Sequence, residues 1–188
     1  MRNAKAAALC LLAALLAVPA LRATTAVERT EADMIQEAQV IVTGRCLATQ
    51  SQWVDRDLVT LATIQVDEVL KGSAGSVVTV VLPGGADSNR KFPIAMSYPA
   101  APEIFQQESV LLFLVPEGRV ADGWSIVGFS QGKLTVADSP QGKVASQNLS
   151  ALNLQGRDGA VRRGGAKTVL IDALRLKIRE TLDVEKER

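Results

Sequence analysis

Three apolar runs lie between Val40 and Leu82, and the first two alternate apolar and polar side chains with a period of two, which suits an extended strand and no helix. In the first, Val40, Val42, Gly44, Cys46 and Ala48 alternate with Ile41, Thr43, Arg45, Leu47 and Thr49. One face is therefore apolar and the other mixed. Trp53 to Asp57 supplies a polar turn. In the second run, Val59 to Leu70, the residues Ala62, Ile64 and Val66 alternate with Thr63, Gln65 and Asp67. Continued unbroken, that register carries Glu68 into the core and Val69 out of it. A β-bulge near Asp67–Glu68 resolves the conflict. Lys71 to Gly75 makes a second turn, with glycines free to take positive φ. Val77 to Leu82 is apolar almost throughout, as in a strand covered on both faces, and Pro83-Gly84-Gly85 ends it.

The flanks are read around this block. Thr24 to Arg29 carries no structural signal and reads as a mobile lead-in. Thr30 with Asp33 forms a capping box, opening a short helix from Glu31 to Ala38 that presents Met34, Ile35 and Ala38 to the sheet. Gly84 to Gln107 is the longest irregular stretch, because Pro93, Pro99 and Pro102 lack N–H donors and restrict the residues before them. Val110 to Val115 is the most apolar run and the expected central strand. Trp124 to Phe129 and Lys133 to Val136 read as a strand pair joined at Gln131-Gly132, and Gln141-Gly142-Lys143 opens a short edge strand. Ser150 to Gly165 is glycine-rich, polar and read as loose. Thr168 then caps a helix from Val169 to Leu182, with Ile171, Leu174, Ile178 and Leu182 at helical spacing.

Residues 1–23 read as an export signal. Arg2 and Lys5 precede an apolar run from Ala6 to Val18, shorter than the roughly 20 residues a spanning helix needs. Val18-Pro19-Ala20 and Leu21-Arg22-Ala23 offer small residues at a cleavage point. The expected location is periplasmic or extracellular, with no membrane anchor after cleavage. The whole chain has 21 Lys and Arg against 20 Asp and Glu; without Arg2, Lys5 and Arg22 the balance is 18 against 20. A nearly neutral chain makes no electrostatic case for nucleic acid. From Arg157 to Arg188 nine basic residues face six acidic ones, densest at Arg162, Arg163 and Lys167, which reads as a solvated loop. Cys10 leaves with the signal, so Cys46 is alone and no intramolecular disulfide forms.

There is no histidine anywhere, which removes the commonest general base and transition-metal ligand. One cysteine cannot make a zinc site. Asp55 with Asp57, and Asp67 with Glu68, are close carboxylates, but closeness in sequence does not make an acid–base pair. Cys46 lies on the apolar parity of its strand and reads as a buried thiol. Gly84-Gly85 is followed by neither a Lys-Ser/Thr pair nor a helix start, so it is a weak phosphate loop. No cofactor, metal or catalytic residue is expected.

Ala32-Asp33-x-Ile35-x-x-Ala38-x-x-Ile41-Val42-x-Gly44 leads into the first strand. Val66-x-x-Val69-Leu70-Lys71-Gly72 precedes the third, and Glu108-x-Val110-Leu111-Leu112-Phe113-Leu114 lies near the middle. Together, over 30–136, these resemble exported bacterial proteins of unknown function and the netrin-like/tissue-inhibitor-of-metalloproteinase domain, an OB-type barrel. The resemblance implies a fold and a binding role. It supplies no inhibitory residue, because those inhibitors grip a metal with an N-terminal cysteine and this chain has none there.

The expected fold is mainly β: a five- to six-stranded, partly open OB-like barrel over 24–188, with a short N-terminal helix and a C-terminal amphipathic helix at 168–182. A β-sandwich is the alternative. The expected function is an exported, non-catalytic binding or protein-interaction module. The alternatives are a protease-inhibitor-like module and a carboxylate-dependent enzyme. The expected partner is another exported protein, a protease among the candidates. The expected contact residues are Phe92, Met96, Tyr98 and Phe105, because the 84–107 loop is long, stiffened by prolines and rich in side chains that bury much area from few rotatable bonds.

Overall fold

The computed structural model of the protein describes residues 24–186; the expected signal segment and its cleavage points lie outside the described residues. Strand β1 (Thr24–Val27) and helix α1 (Glu31–Glu37) precede two fifteen-residue strands, β2 (Val40–Val54) and β3 (Asp57–Lys71). Val54 pairs with Asp57, so the turn is only Asp55-Arg56, and Asp55 takes the positive φ of 54° that a two-residue hairpin favours. Trp53 and Val54 thus belong to the strand and not to the turn. Next come β4 (Val77–Pro83), a small hairpin of β5 (Gly85–Asp87) and β6 (Ile94–Met96), then β7 (Ser109–Pro116) and β8 (Gly123–Ile126).

β2, β3 and β4 form a meander, and β7 returns by the long 84–108 connection to lie beside β2. This is the spatial order of a Greek key. β8 then pairs parallel to β4 and antiparallel to β7, so five strands come round into a ring closed over a short stretch. The rest of the chain widens the sheet. A 3-10 turn (Phe129–Gly132) leads into β9 (Lys133–Ser139), β10 (Gly142–Asn148), β11 (Leu152–Gln155), β12 (Val161–Arg163), β13 (Ala166–Leu170) and α2 (Ile171–Lys186). β9 pairs with the first half of β7, β10 with β9, and β13 with β10.

The ring encloses one apolar cluster: Val40, Val42 and Cys46 from β2, Ile64 from β3, Val80 and Leu82 from β4, and Val110, Leu112 and Leu114 from β7. Ile104 plugs it from the long loop. A second cluster lies outside the ring, where α1 and α2 cover Ile41, Leu111, Phe113 and Leu134 with Met34, Ile35, Ile171, Leu174 and Ile178. β7 is therefore buried on both faces, which is why its sequence is a continuous apolar run. Full burial of each large aliphatic side chain is worth about 1.5–3 kcal/mol.

The helices are fixed at their ends. Thr30 Oγ1 accepts from Asp33 N, and Thr30 N donates in return to Asp33 Oδ2, the expected capping box. At the other end Lys71 Nζ donates to the carbonyls of Ile35 and Gln36, at 2.6 and 3.2 Å, matching a cation to the negative helix end. Glu31 pairs with both Lys167 and Lys177, tying α1 to β13 and α2. Buried Gln131 accepts from Arg29 N and donates to the carbonyls of Val27 and Gly128, fastening the N-terminal segment to the ring.

Several expectations need correction. Five to six strands undercounts the chain, since five make the ring and others extend it. β8 and β9 do not pair with each other; the turn between them sends one to the ring and the other to the extension. β10 is interior to the sheet and not its edge. Residues 150–165 are not loose: β11 pairs with β12, and β1 joins β11 in parallel, so 24–29 is no free lead-in. Thr168 sits in β13, and the C-terminal helix runs Ile171–Lys186 where 168–182 was expected, because strand pairing with β10 holds the chain extended up to Leu170. Among the basic residues, Arg162 pairs with Asp158 and Glu28, and Lys167 with Glu31.

The bulge at Asp67 lies where the sequence put it, between the pairs Thr43–Glu68 and Gly44–Val66. It does not bury Val69, which is 39% exposed; Glu68 instead faces α2 and meets Arg175. A second bulge, at Leu47, flips the β2 register, so Ala48 leaves the apolar face and is exposed. Among the described residues no helix is long and apolar enough to cross a membrane.

Candidate functional site: a cleft beneath the proline-rich loop

The 84–107 loop is stitched to the hairpin of β2 and β3 at its entrance. Thr60 Oγ1 donates to the Gly84 carbonyl at 2.8 Å, and Ala86 N donates to Ser51 Oγ at 3.0 Å. Gly84 has φ of 89°, and a Cβ there would lie 2.6 Å from the Met96 carbonyl oxygen; only glycine lets β6 fold back so closely. Trp53 Nε1 donates to Asp87 Oδ2 at 2.7 Å, and Arg90 Nε donates to the same oxygen at 2.8 Å with its guanidinium 4.8 Å above the Trp53 ring. The Trp53 bond, more than Arg90, holds the Asp87 carboxyl below the usual range.

The exit is fixed as well. Gln107 N donates to the Cys46 carbonyl at 2.8 Å, and Cys46 N to the Glu108 carbonyl at 2.9 Å. The Glu108 carboxylate accepts from Phe105 N, Lys133 Nζ and Thr135 Oγ1, at 3.0, 2.6 and 2.6 Å. Burial alone pushes Glu108 up, but the bonds from Lys133 and Thr135 outweigh it and its pKa is lowered. The loop is irregular, apart from the β5–β6 hairpin, yet both ends are anchored.

Three of the four expected contact residues converge. Met96, Tyr98 and Phe105 border a groove of ≈ 440 Å³ whose other wall carries the hydroxyl residues Thr49, Ser51 and Thr60. Tyr98 is 40% and Phe105 64% exposed, while Met96 is half-buried. Phe92 is not part of it. It stands 74% exposed near the loop tip, with the Lys91 ammonium 5.6 Å from its ring centre.

Tyr98, Pro83 and Pro102 also border a second compartment, of ≈ 240 Å³, over Leu58, Val59 and Val81. Phe129, Asp57, Glu117 and Arg119 line it too. Glu117 and Arg119 carry no functional signal in the sequence, and Phe129 reads there only as the end of a strand, where the structure places it at the start of the 3-10 turn. Phe129 has φ of 65°, a conformation that costs a bulky residue energy and persists only where its surroundings over-determine it. Arg119 donates to Glu117 Oε1 at 3.1 Å and to Asp57 Oδ2 at 2.9 Å, and Ser125 Oγ donates to Glu117 Oε2 at 2.5 Å. The Ser125 bond first, and Arg119 after it, hold Glu117 below the usual range, the reverse of what a general acid at neutral pH needs.

The other candidates have ordinary roles. Cys46 is fully buried, its thiol donates to the Ala48 carbonyl at 3.5 Å, and burial pushes its pKa up, away from the thiolate. The Asp57 carboxylate is taken by Arg119 and that of Glu68 by Arg175. Among the described residues no three His, Cys, Asp or Glu side chains are grouped to hold a metal ion. The sequence matches no known protein family and no curated protein.

Proposed function

We propose that the protein is an exported, non-catalytic binding module on an OB-type barrel, and that its cleft holds an extended segment of another exported protein. The five-strand Greek-key ring supports the OB-type reading, as does the position of the cleft, which reaches both the tip of the first hairpin and the connection between β7 and β8. The observation that carries the binding reading is the convergence of Met96, Tyr98 and Phe105 on one groove beneath a loop anchored at both ends. A fixed loop loses little entropy on binding, and exposed aromatic side chains on it have area to bury. The charged residues along the two compartments are the carboxylates Asp57, Glu103 and Glu117 against Arg119. The complementary segment carries apolar residues beside at least one cation.

A photo-crosslinking residue at Ser97, on the groove wall, tests this. The peptide it captures from the exported fraction is synthesised and titrated against wild type and Tyr98→Ala. The expected result is that Tyr98→Ala weakens binding about tenfold or more while the melting temperature is nearly unchanged. No captured peptide, or equal affinity for the variant, overturns the reading.

A further inference from the structure

Strand β2 is paired along both edges for only part of its length. On the side away from β3, β7 pairs with Val40–Arg45. The chain before β7 adds backbone bonds to Cys46 and, through Gln106 Nε2, one to the Leu47 carbonyl. From Thr49 to Trp53 no strand lies beside β2 on that side. The hairpin register decides which backbone groups are left over. Val54 and Asp57 close a two-residue turn, so Val54, Gln52 and Gln50 turn their N–H and C=O groups to β3. Trp53, Ser51 and Thr49 turn theirs the other way. The partner strand shows the same alternation: Leu58, opposite Trp53, gives its carbonyl to Gly84 N. Among the described residues nothing bonds the main chain of Thr49, Ser51 or Trp53 on the open side.

This edge lacks the usual guards. Sheets blunt their open edges with charge, proline or shortness. β13, the terminal strand of the same sheet, is five residues long and carries Lys167. The run Thr49-Gln50-Ser51-Gln52-Trp53 has neither charge nor proline. Thr49 and Ser51 also border the ≈ 440 Å³ groove, so the open edge runs alongside it, with Tyr98 and Phe105 in the same lining. Among the described residues that border the groove, Glu103 alone is charged; it is exposed and makes no ion pair.

We propose that the segment held in the cleft adds to the sheet as a strand along β2 at 49–53, and that it brings a Lys or Arg to Glu103. This rests on the reading of the cleft as a peptide site and specifies how the peptide is recognised. Its main chain meets the open N–H and C=O groups of Thr49, Ser51 and Trp53, and every second side chain turns toward the groove. Backbone bonding accepts any extended segment; the alternate side chains and the charge at Glu103 select among them. A second copy of this chain is the poorer occupant, because its own 49–53 run brings no cation.

A displayed library of random heptapeptides, selected on the protein, supplies the probe. The enriched peptides are expected to alternate apolar residues and to carry one Lys or Arg. Residue-resolved amide exchange then reads the edge. Without peptide the amides of Thr49, Ser51 and Trp53 exchange fast and those of Gln50 and Gln52 slowly; bound peptide slows the first three. Methylating the peptide's backbone nitrogens at alternate residues weakens binding tenfold or more on one parity and leaves it unchanged on the other. Thr49→Pro removes an N–H that faces solvent and keeps the bonds to β3. It weakens binding about tenfold at an unchanged melting temperature. Glu103→Gln weakens binding about threefold, the scale of an exposed ion pair, and only for peptides that keep their cation. A peptide that needs Tyr98 but leaves the three amides fast, or equal loss from both methylation parities, overturns strand addition and leaves the cleft reading standing. The absence of any peptide that needs Tyr98 overturns both. Protection of the three amides that appears without peptide and grows with protein concentration assigns the edge to a second copy and overturns the proposal.

Discussion

The two apolar clusters share strand β7 but differ in what encloses them. The inner one is walled by five strands hydrogen-bonded into a ring, so opening it breaks backbone ladders on every side. The outer one is covered by two helices held by side-chain contacts, the Lys71 cap and exposed or half-exposed ion pairs such as Arg175–Glu68 and Lys177–Glu31. Surface pairs of that kind add little individually. The difference teaches that one strand can belong to a rigid unit on one face and a more separable one on the other. The proposed cleft sits over the ring.

Replacing Leu112 by Ala gives the largest expected effect. Its side chain is fully buried in the inner cluster, where a closed wall relaxes poorly around a cavity. The expected loss is about 3–5 kcal/mol in denaturant unfolding, with hydrogen exchange raised throughout. Ile178→Ala strikes the outer cluster from α2. The helix can settle into the space, so the loss is about 2 kcal/mol, and exchange rises mainly in α2 and β13. Exchange raised equally in β2 and β7 breaks the comparison, because both clusters then unfold as one.

The smallest effect sharpens it at the junction. Glu108 lies just before β7, where the edge of that strand passes from the ring to β9, and it binds Lys133 and Thr135 of β9. Its pKa is lowered from the ordinary 4.5, so its stabilisation is fully present above that pH and is lost as pH falls through the lower folded value. Glu108→Gln costs about 1 kcal/mol at neutral pH, and the two proteins converge in acid. A constant difference between them across the acid titration contradicts that account.

The sequence by itself determined the features that rest on neighbours in the chain. The period-two runs of β2 and β3 and the continuous apolar run of β4 marked the strands, the parity of β2 turned Val40, Val42 and Cys46 to the ring, and the conflict at Glu68 located one bulge. Thr30 and Asp33 gave the helix cap, and the double-sided run at 110–115 gave the central strand. The convergence of Met96, Tyr98 and Phe105 was foreseen only as membership of one loop. The tertiary structure decided the rest. The β4–β8 pairing, the fork of β7 between β8 and β9, and the joining of β1 to β11 link segments far apart in the chain, through strands too short or too polar to show a period. The Leu47 bulge left Ala48 exposed against its own pattern, and Phe129 and Arg119 reached the cleft from beyond the next strand. Periodicity reports what a residue's neighbours in the chain can bury, whereas closure of the ring depends on which distant segments meet.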